Sequence, residues 1–281
     1  MGKRLTRTEI DSFHEHGFLP GIDVFGEDEC DAFRSRVEAF ERTRPEAVGW
    51  AFDIKTNLLF DWVYALSRAP RLLDAIEDLI GPDILLTNSI FRIKEPGSAT
   101  FYGWHQDAAR IRVEPAFVLA FIAISEATPD NGCLRVIPGS QREVRPFTLV
   151  GYADRQVARV CEVDERGAVD MVLARGQVGL LHCNTVHGSG PNRSPGRRIG
   201  LINDYTPAFA RQSTGTGSGQ LVRGEDRWDH FGAEPVPVGA CTAQDVLARR
   251  RILNAYPENV LMGPLGPDGV ASFADAPVAD R

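Results

Sequence analysis

Residues 101–111 read FYGWHQDAARI, which places an imidazole and a carboxylate two positions apart, at His105 and Asp107. Side chains at positions i and i+2 of a strand project from the same face, so the two groups could share one metal ion. A solvated pair, or a buried histidine with a hydrogen-bonded neighbour, would leave the same pattern. The metal interpretation therefore requires a third ligand from elsewhere in the chain.

The best third ligand among the six histidines is His187. It ends the apolar segment VGLLHCNTVH and precedes a turn-rich loop, a position that suits an imidazole exposed at the mouth of a barrel. His14 and His16 lie in a predicted helix, where positions i and i+2 point apart. Two imidazoles and one carboxylate form the facial triad expected of non-haem Fe(II) oxygenases. Zinc peptidases use a similar set, but their H-E-x-x-H helix is absent from this sequence.

An arginine follows the third predicted ligand at a short spacing in the sequence. Arg198 comes eleven positions after His187, and the residues between them, GSGPNRSPG, favour turns. We expect a hairpin that returns Arg198 to the metal. There it would bind, through two parallel hydrogen bonds, the far carboxylate of a co-substrate that chelates the metal. Arg193 and Arg197 are competitors for this role, and a surface position is the alternative.

The first third of the chain is predicted to be helical. Thr6 and Glu9 fit a capping box, and Gly17 is expected to end this first helix. Apolar residues at helical spacing predict a second helix over about 27–42. Two more helical stretches follow and stop at Gly81.

From about residue 84 the pattern predicts strands. The segments DILLTNSIFRIK, AFVLAFIAISEA, GCLRVIPGS, DMVLARGQVGLLH and RRIGLINDYTP are short, apolar and separated by turn residues. Helices followed by many short strands favour a mainly β fold with flanking α-helices, a sandwich or jelly roll.

The chain is predicted to form a single domain over residues 1–281. It would comprise a helical part over about 1–82, a jelly-roll core over about 83–208, and a lid with a C-terminal helix over about 209–281. The Gly/Ser-rich stretch ARQSTGTGSGQLVRGEDRWDHF is the predicted lid. Within it, Arg223 and His230 are candidate contacts to a polar or anionic small metabolite, and a solvated loop is the alternative.

Net charge, cysteine spacing and the lack of long apolar runs bear on the partners and the location of the protein. The formal net charge of -7 argues against a nucleic-acid partner. Five scattered cysteines without a C-x-x-C pair indicate reduced thiols and predict a cytoplasmic protein. The basic start lacks the apolar run of a signal peptide, and no stretch of about 18 apolar residues predicts a membrane span.

Three motifs together resemble the phytanoyl-CoA dioxygenase family of Fe(II)/2-oxoglutarate oxygenases: KEPGSATFYGWHQDAAR, NGCLRVIPGSQ and HGSGPNRSPGRRIGL. The similarity extends from EIDSFHEHGFL to LVRGEDRWDHFGAEPVP, most of the chain. It implies a double-stranded β-helix of the jelly-roll, cupin-like type. The residues that it carries over are His105, Asp107 and His187 as iron ligands, Arg198 as the 2-oxoglutarate anchor, Gln106, Ser189 and Phe121 as co-substrate-site residues, and Lys55 as a further co-substrate contact.

The resemblance implies hydroxylation of an aliphatic C–H bond of a small metabolite. The protein would bind Fe(II), consume 2-oxoglutarate and dioxygen as co-substrates, and release succinate and CO2. Halogenating relatives lack the carboxylate ligand, so Asp107 argues against halogenation. Epimerases, cyclases and desaturases use the same triad and remain alternatives, as does a metal-free sandwich that only binds a ligand.

Overall fold

The computed structural model describes residues 2–109, 112–151, 157–213 and 217–255. The α-helices are α1 (Arg7–His16), α2 (Glu27–Thr43), α3 (Val48–Ala51), α4 (Asp61–Ser67), α5 (Pro70–Ile80) and α6 (Ala243–Asn254). The strands are β1 (Phe18–Asp23), β2 (Ile84–Lys94), β3 (Tyr102–His105), β4 (Val113–Glu114), β5 (Val118–Ala123), β6 (Leu134–Val136), β7 (Thr148–Gly151), β8 (Val157–Val160), β9 (Val169–Met171), β10 (Gln177–His182), β11 (His187–Ser189), β12 (Arg198–Pro207), β13 (Arg211–Gln212), β14 (Ser218–Arg223) and β15 (Gly232–Ala233). Short 3-10 helices cover Pro45–Ala47, Thr56–Leu58, Asp107–Ala109, Ser140–Arg142 and Glu165–Gly167.

The predicted capping box begins the first helix. The Thr6 hydroxyl accepts a hydrogen bond from the backbone N–H of Glu9 at 3.3 Å, and the Glu9 carboxylate accepts one from the backbone N–H of Thr6 at 2.7 Å. Helix α1 ends at Gly17 as predicted, and α2 matches the predicted second helix to within one residue.

Strand β1 was not predicted, because its sequence FLPGID contains a proline and a glycine. It pairs with β10 at the edge of a sheet, where a missing backbone N–H is tolerated. The register shifts between Leu19 and Ile22, on either side of Pro20 and Gly21, so the strand accommodates both residues in an irregularity.

Two sheets form the core, as the jelly-roll prediction requires, and their strands pair antiparallel except for the parallel edge pair β14–β15. The larger sheet has the order β1-β10-β5-β12-β2-β14-β15, and the smaller has the order β3-β11-β6-β9. Side chains of both sheets share one apolar cluster, to which Phe121 and Leu181 contribute from the larger sheet and Val136 and Met171 from the smaller. Apart from β14 and β15, neighbours in the larger sheet are not consecutive in sequence, so its order is a crossover topology rather than a series of hairpins.

Strand β5, which lies between β10 and β12, is buried on both faces. Leu119 and Phe121 point into the cluster between the sheets, whereas Val118, Ala120 and Ile122 pack against the helical layer. This explains why its sequence is continuously apolar instead of alternating.

The predicted lid is partly a strand. Within ARQSTGTGSGQLVRGED, β14 extends the larger sheet by pairing with β2. A β-carbon at Gly219 would come within 3.2 Å of the Leu86 carbonyl oxygen, so this glycine permits a close backbone approach. Residues 214–216 of the predicted lid lie outside the described residues, as do residues 256–281 of the predicted C-terminal part.

Helix α6 closes the described part of the chain. It begins with a capping box between Thr242 and Asp245, and the buried Arg249 donates hydrogen bonds to the backbone carbonyls of Trp50 and Ile54. The helix is thereby fixed to the N-terminal layer. Among the helices of the described residues, none is both long enough and apolar enough to span a membrane.

Candidate metal centre and anion pocket

The three predicted metal ligands lie together. His105 is the last residue of β3, His187 is the first residue of β11, and the two are direct partners in the register of these strands. Asp107 lies beyond the end of β3 and begins the 3-10 helix Asp107–Ala109. The expectation that Asp107 belongs to the same strand as His105 was therefore wrong, and the turn into this helix brings the carboxylate to the imidazoles.

The ligand atoms converge on one point. The His105 Nε2 atom is 3.7 Å from Asp107 Oδ1, and His187 Nε2 is 3.6 Å from Asp107 Oδ2. One ligand atom from each residue can be chosen so that all lie within 4.8 Å of one another. Metal–ligand bonds of about 2.0–2.2 Å to nitrogen and oxygen fit a group of this size.

The hydrogen bonds of the imidazoles orient them for metal binding. His105 Nδ1 donates to the Gly103 carbonyl at 2.7 Å, and His187 Nδ1 donates to the Thr185 carbonyl at 3.0 Å. A carbonyl only accepts, so each neutral ring has its proton on Nδ1 and a free lone pair on Nε2. Burial and the neighbouring His187 lower the pKa of His105 to about 4, which keeps that ring neutral.

The carboxylate has an unused buried acceptor. Asp107 Oδ2 is buried and has no hydrogen-bond partner among the described residues. A buried carboxylate oxygen without a partner is costly, and a bound cation removes this cost. Two imidazoles and one carboxylate are the donor set of a non-haem Fe(II) site, so the residues present fit the predicted metal.

Gln106, between two of the ligands, is held by backbone groups. Its amide nitrogen donates to the Glu143 and Asn184 carbonyls, at 2.8 and 2.6 Å, and its amide oxygen accepts from the Arg145 backbone N–H at 2.8 Å. These contacts anchor the turn that contains the ligands. A co-substrate contact by Gln106 stays a prediction. In the structure its amide binds the backbone groups of Glu143, Asn184 and Arg145.

Arg198 lies inside the fold, as its predicted role requires, but not through a hairpin. The strands β11 and β12 on either side of its loop belong to different sheets, so the predicted hairpin was wrong. Arg198 is 1% exposed, one of its terminal N–H groups donates to the Gly132 carbonyl, and its guanidinium carbon lies 5.6 Å from the centre of the Phe121 ring. Burial lowers its pKa to about 10, so it remains charged at neutral pH.

Two further residues of this pocket are Ser189 and Lys94. The Ser189 hydroxyl, predicted as a co-substrate contact, accepts a hydrogen bond from Lys94 Nζ at 2.8 Å. Lys94 is the direct cross-strand partner of Arg198 and was not predicted as a site residue. Its only local signal is a position at the end of an apolar segment, and the pairing of β2 with β12 gives it significance.

Lys55 has an internal counter-ion. Its ammonium group forms a buried ion pair with Glu234 and donates a hydrogen bond to the Ser218 carbonyl at 3.0 Å. These contacts join the segment before α4 to β14 and β15. The co-substrate role predicted for Lys55 stays a prediction, and its charge is compensated within the protein.

The two candidate substrate contacts have partners in the protein as well. Arg223 forms ion pairs with Asp74 and Glu77 of α5, at 2.7 and 2.9 Å, and the ring of His230 contacts the Phe209 and Ala210 carbonyls. The contacts of Arg223 attach β14 to the helical layer, and they lend no support to a substrate role for this residue.

We therefore expect the Arg223→Ala variant to lose a small amount of stability. Partly exposed ion pairs contribute about 0.2–1 kcal/mol each, so thermal denaturation should show a modest decrease in Tm. Turnover and its coupling to substrate should match the wild type. Impaired coupling with unchanged Tm would instead support the predicted substrate contact.

Gly200 makes room for the Phe121 ring. A β-carbon at this position would lie 2.4 Å from Phe121 Cζ, so the Gly200→Ala variant must displace the ring next to Arg198. We expect overpacking to cost about 1–2 kcal/mol of unfolding free energy, measured by denaturant titration. Gly49→Ala is the matched control, since its β-carbon would meet nothing within 4 Å. Equal stability of the two variants would contradict the tight packing of this wall.

Comparison with known proteins places this fold and site in context. The family model for phytanoyl-CoA dioxygenase (PhyH) matches residues 13–200. A probable alpha-ketoglutarate-dependent hypophosphite dioxygenase from Stutzerimonas stutzeri is 30% identical over 58% of this chain, and the match spans 59% of that protein. An ectoine dioxygenase from Bordetella bronchiseptica is 24% identical over 72% of this chain and 75% of its own length.

Solved structures share the fold. The non-haem monooxygenase ThoJ, in its apo form, has a TM-score of 0.80 at 24% identity and covers 89% of this chain and 96% of its own. The epimerase SnoN, solved with Fe3+, alpha-ketoglutarate and nogalamycin RO, has a TM-score of 0.62 at 20% identity and covers 84% and 94%. The carbocyclase SnoK from nogalamycin biosynthesis has a TM-score of 0.60 at 22% identity and covers 74% and 86%.

Proposed function

The chain belongs to the phytanoyl-CoA dioxygenase family, and we propose that it hydroxylates an aliphatic C–H bond of a small metabolite, with release of succinate and CO2. It is a non-haem dioxygenase that depends on Fe(II) and 2-oxoglutarate, as its family and relatives indicate. The observation that supports the proposal most directly is the meeting of the His105 and His187 imidazoles with the carboxylate of Asp107, whose buried Oδ2 atom has no hydrogen-bond partner among the described residues.

The residues divide into two groups with separate tasks. His105, Asp107 and His187 would hold Fe(II) through two imidazoles and one carboxylate. Arg198 would bind the carboxylate of 2-oxoglutarate that is remote from the 2-oxo group, and the ring of Phe121 would confine it. When bound, Fe(II) with 2-oxoglutarate and dioxygen supplies an oxidation in which one oxygen atom enters succinate and the other enters the substrate.

The predicted site borders the apolar cluster between the sheets. Ala108, which follows Asp107 directly, is buried in that cluster together with Phe117 and Leu119. Arg198 is itself buried, and burial strengthens its interaction with an anion.

The proposal is tested by supplying Fe(II), 2-oxoglutarate and dioxygen to a panel of small metabolites. We expect at least one compound to stimulate succinate release and to yield a product heavier by one oxygen atom in mass spectrometry. With isotope-labelled dioxygen, one labelled atom should appear in the product. Stimulated succinate release with a product that has gained no oxygen would contradict hydroxylation while leaving the co-substrate chemistry intact.

Epimerisation or cyclisation is the second candidate function. It is supported by the likeness of the fold to SnoN and SnoK, which are named as an epimerase and a carbocyclase. These reactions leave the substrate without an added oxygen atom, so the same mass measurement separates them from hydroxylation. Asp107, the predicted carboxylate ligand, argues for either reaction over halogenation, as the family resemblance implies.

A further inference from the structure

Two buried cations lie next to each other in the interior of the larger sheet. Lys94, at the end of β2, and Arg198, at the start of β12, are direct partners across the two strands. Both side chains are 1% exposed. Like charges at paired positions of neighbouring strands repel each other, and burial removes the water that would otherwise screen them.

Neither cation has an anionic partner among the described residues. Lys94 Nζ donates to the Ser189 hydroxyl at 2.8 Å and to the Gly190 carbonyl, and Arg198 donates to the Gly132 carbonyl. All three acceptors are neutral. The Nε atom of Arg198 is buried without any hydrogen-bond partner in the part of the chain that the structure describes.

Both groups have a lowered pKa. Burial and the neighbouring Arg198 lower the pKa of Lys94 to about 7, and burial lowers the pKa of Arg198 to about 10. Buried charges in proteins are normally paired or bound to an ion, because unpaired burial is expensive. Two adjacent buried cations therefore indicate a site that an anion completes.

We propose that Lys94 and Arg198 together bind the remote carboxylate of 2-oxoglutarate, with Lys94 as a second cationic contact. This inference rests on the proposed function, since it names a further residue for the co-substrate of that reaction. An ammonium group has three donors, and the contacts to Ser189 and Gly190 use two of them, which leaves one for a carboxylate oxygen. The Tyr102 ring, whose centre is 5.5 Å from Lys94 Nζ, covers the ammonium group from another side.

A purely structural role is the competing explanation. In that case Lys94 would only join β2 to the end of β11 through Ser189 and Gly190. The two explanations differ in their dependence on the ligand: a structural role does not distinguish a 2-oxo acid that has a remote carboxylate from one that lacks it.

Isothermal titration of the Fe(II)-loaded protein under anaerobic conditions separates the explanations. The probes are 2-oxoglutarate and 2-oxobutanoate, which shares the metal-chelating end and lacks the remote carboxylate. We expect Lys94→Met to raise the Kd of 2-oxoglutarate about tenfold, the loss of one charge-assisted contact, and to leave the Kd of 2-oxobutanoate unchanged. Ser189→Ala removes the hydroxyl that accepts from Lys94 and that is itself a predicted co-substrate contact. Because this hydroxyl is neutral, the Kd of 2-oxoglutarate should rise less than in Lys94→Met.

A second measurement uses the wild-type protein and does not depend on the folding of a variant. The chain has three lysines, Lys3, Lys55 and Lys94, so lysine labelled with carbon-13 should give three side-chain signals in NMR spectra. The charged or titratable groups that act on the Lys94 ammonium are Arg198 and Cys133. We expect 2-oxoglutarate to raise the pKa of Lys94, because an anion stabilises the charged form, and we expect 2-oxobutanoate not to do so.

Each outcome decides between the possibilities. Equal effects of Lys94→Met on both probes, or no effect on either, would overturn the role of Lys94 while leaving the proposed function intact. An unchanged Lys94 pKa on binding of 2-oxoglutarate would overturn it in the same way. Failure of the wild-type protein to bind 2-oxoglutarate at all would instead overturn the proposed function, and this inference with it.

Discussion

Replacing His187 with alanine is expected to abolish 2-oxoglutarate turnover while leaving the fold intact. The substitution removes one of the three ligand atoms that lie within 4.8 Å of one another, and it leaves only one imidazole and one carboxylate for the metal. Succinate release should fall below detection at iron concentrations that saturate the wild type. Circular dichroism should retain the wild-type spectrum, because the strand pairing of β11 with β3 and β6 uses backbone groups.

Iron binding gives this prediction a readout that does not depend on activity. A ligand that binds only the folded state at a hundredfold excess over its Kd stabilises a protein by about 2.7 kcal/mol. Anaerobic addition of Fe(II) should therefore raise the Tm of the wild type and leave that of His187→Ala unchanged. His16→Ala, which alters an exposed histidine of α1, is the matched control and should respond like the wild type. Full activity or a retained iron response in His187→Ala would contradict the assignment of the triad.

The chemistry of the metal site could be predicted from residue types, and its geometry could not. His105, Asp107 and His187 are recognisable because this combination of donors has few other uses. We expected His105 and Asp107 on one strand face, whereas Asp107 begins a 3-10 helix and strand pairing brings His187 to His105. Such pairing depends on contacts between segments about eighty positions apart, and local sequence patterns do not predict these contacts.

Local signals were reliable where the deciding contacts were local. The Thr6 capping box and the extent of α2 each depend on residues within a few positions. The segment around β14 shows the opposite case, because its glycines suggested a loop, whereas Gly219 permits close approach to Leu86, more than a hundred positions away. Arg223 was likewise a candidate substrate contact from the sequence, whereas the fold pairs it with Asp74 and Glu77 of α5.

The surroundings of Arg198 are the part of the candidate site that only the fold defines. Arg198 was predicted from its distance to His187, but the supposed hairpin is absent and the two residues belong to different sheets. Lys94 went unnoticed because a lysine at the end of an apolar segment is ordinary. Its position opposite Arg198 follows from the register of β2 and β12, which a one-residue slip would change.

Replacing Arg198 with alanine is expected to raise the 2-oxoglutarate concentration needed for half-maximal turnover about ten- to a hundredfold. A hydrogen bond between charged groups contributes about 1.5–3 kcal/mol, and each 1.4 kcal/mol corresponds to about tenfold in affinity. The effect should appear in the co-substrate requirement, while the maximal rate at saturating 2-oxoglutarate changes much less, since the metal ligands are untouched. Anaerobic titration of the Fe(II)-loaded variant should give the same ratio of Kd values as the kinetics.

The adjacent arginine supplies the matched control for this prediction. Arg197 pairs with Glu41 and Glu95, so its charge is compensated by carboxylates of the protein, whereas Arg198 contacts only neutral acceptors in the described residues. Arg197→Ala should therefore lower the Tm without changing the 2-oxoglutarate requirement, whereas Arg198→Ala should raise that requirement. A raised requirement in Arg197→Ala with a silent Arg198→Ala would show that the neighbouring guanidinium binds the co-substrate. The partners of the two side chains make that result unexpected: an arginine already bound by two carboxylates has little affinity left for a third, and a buried arginine with an unused Nε–H still requires an anion.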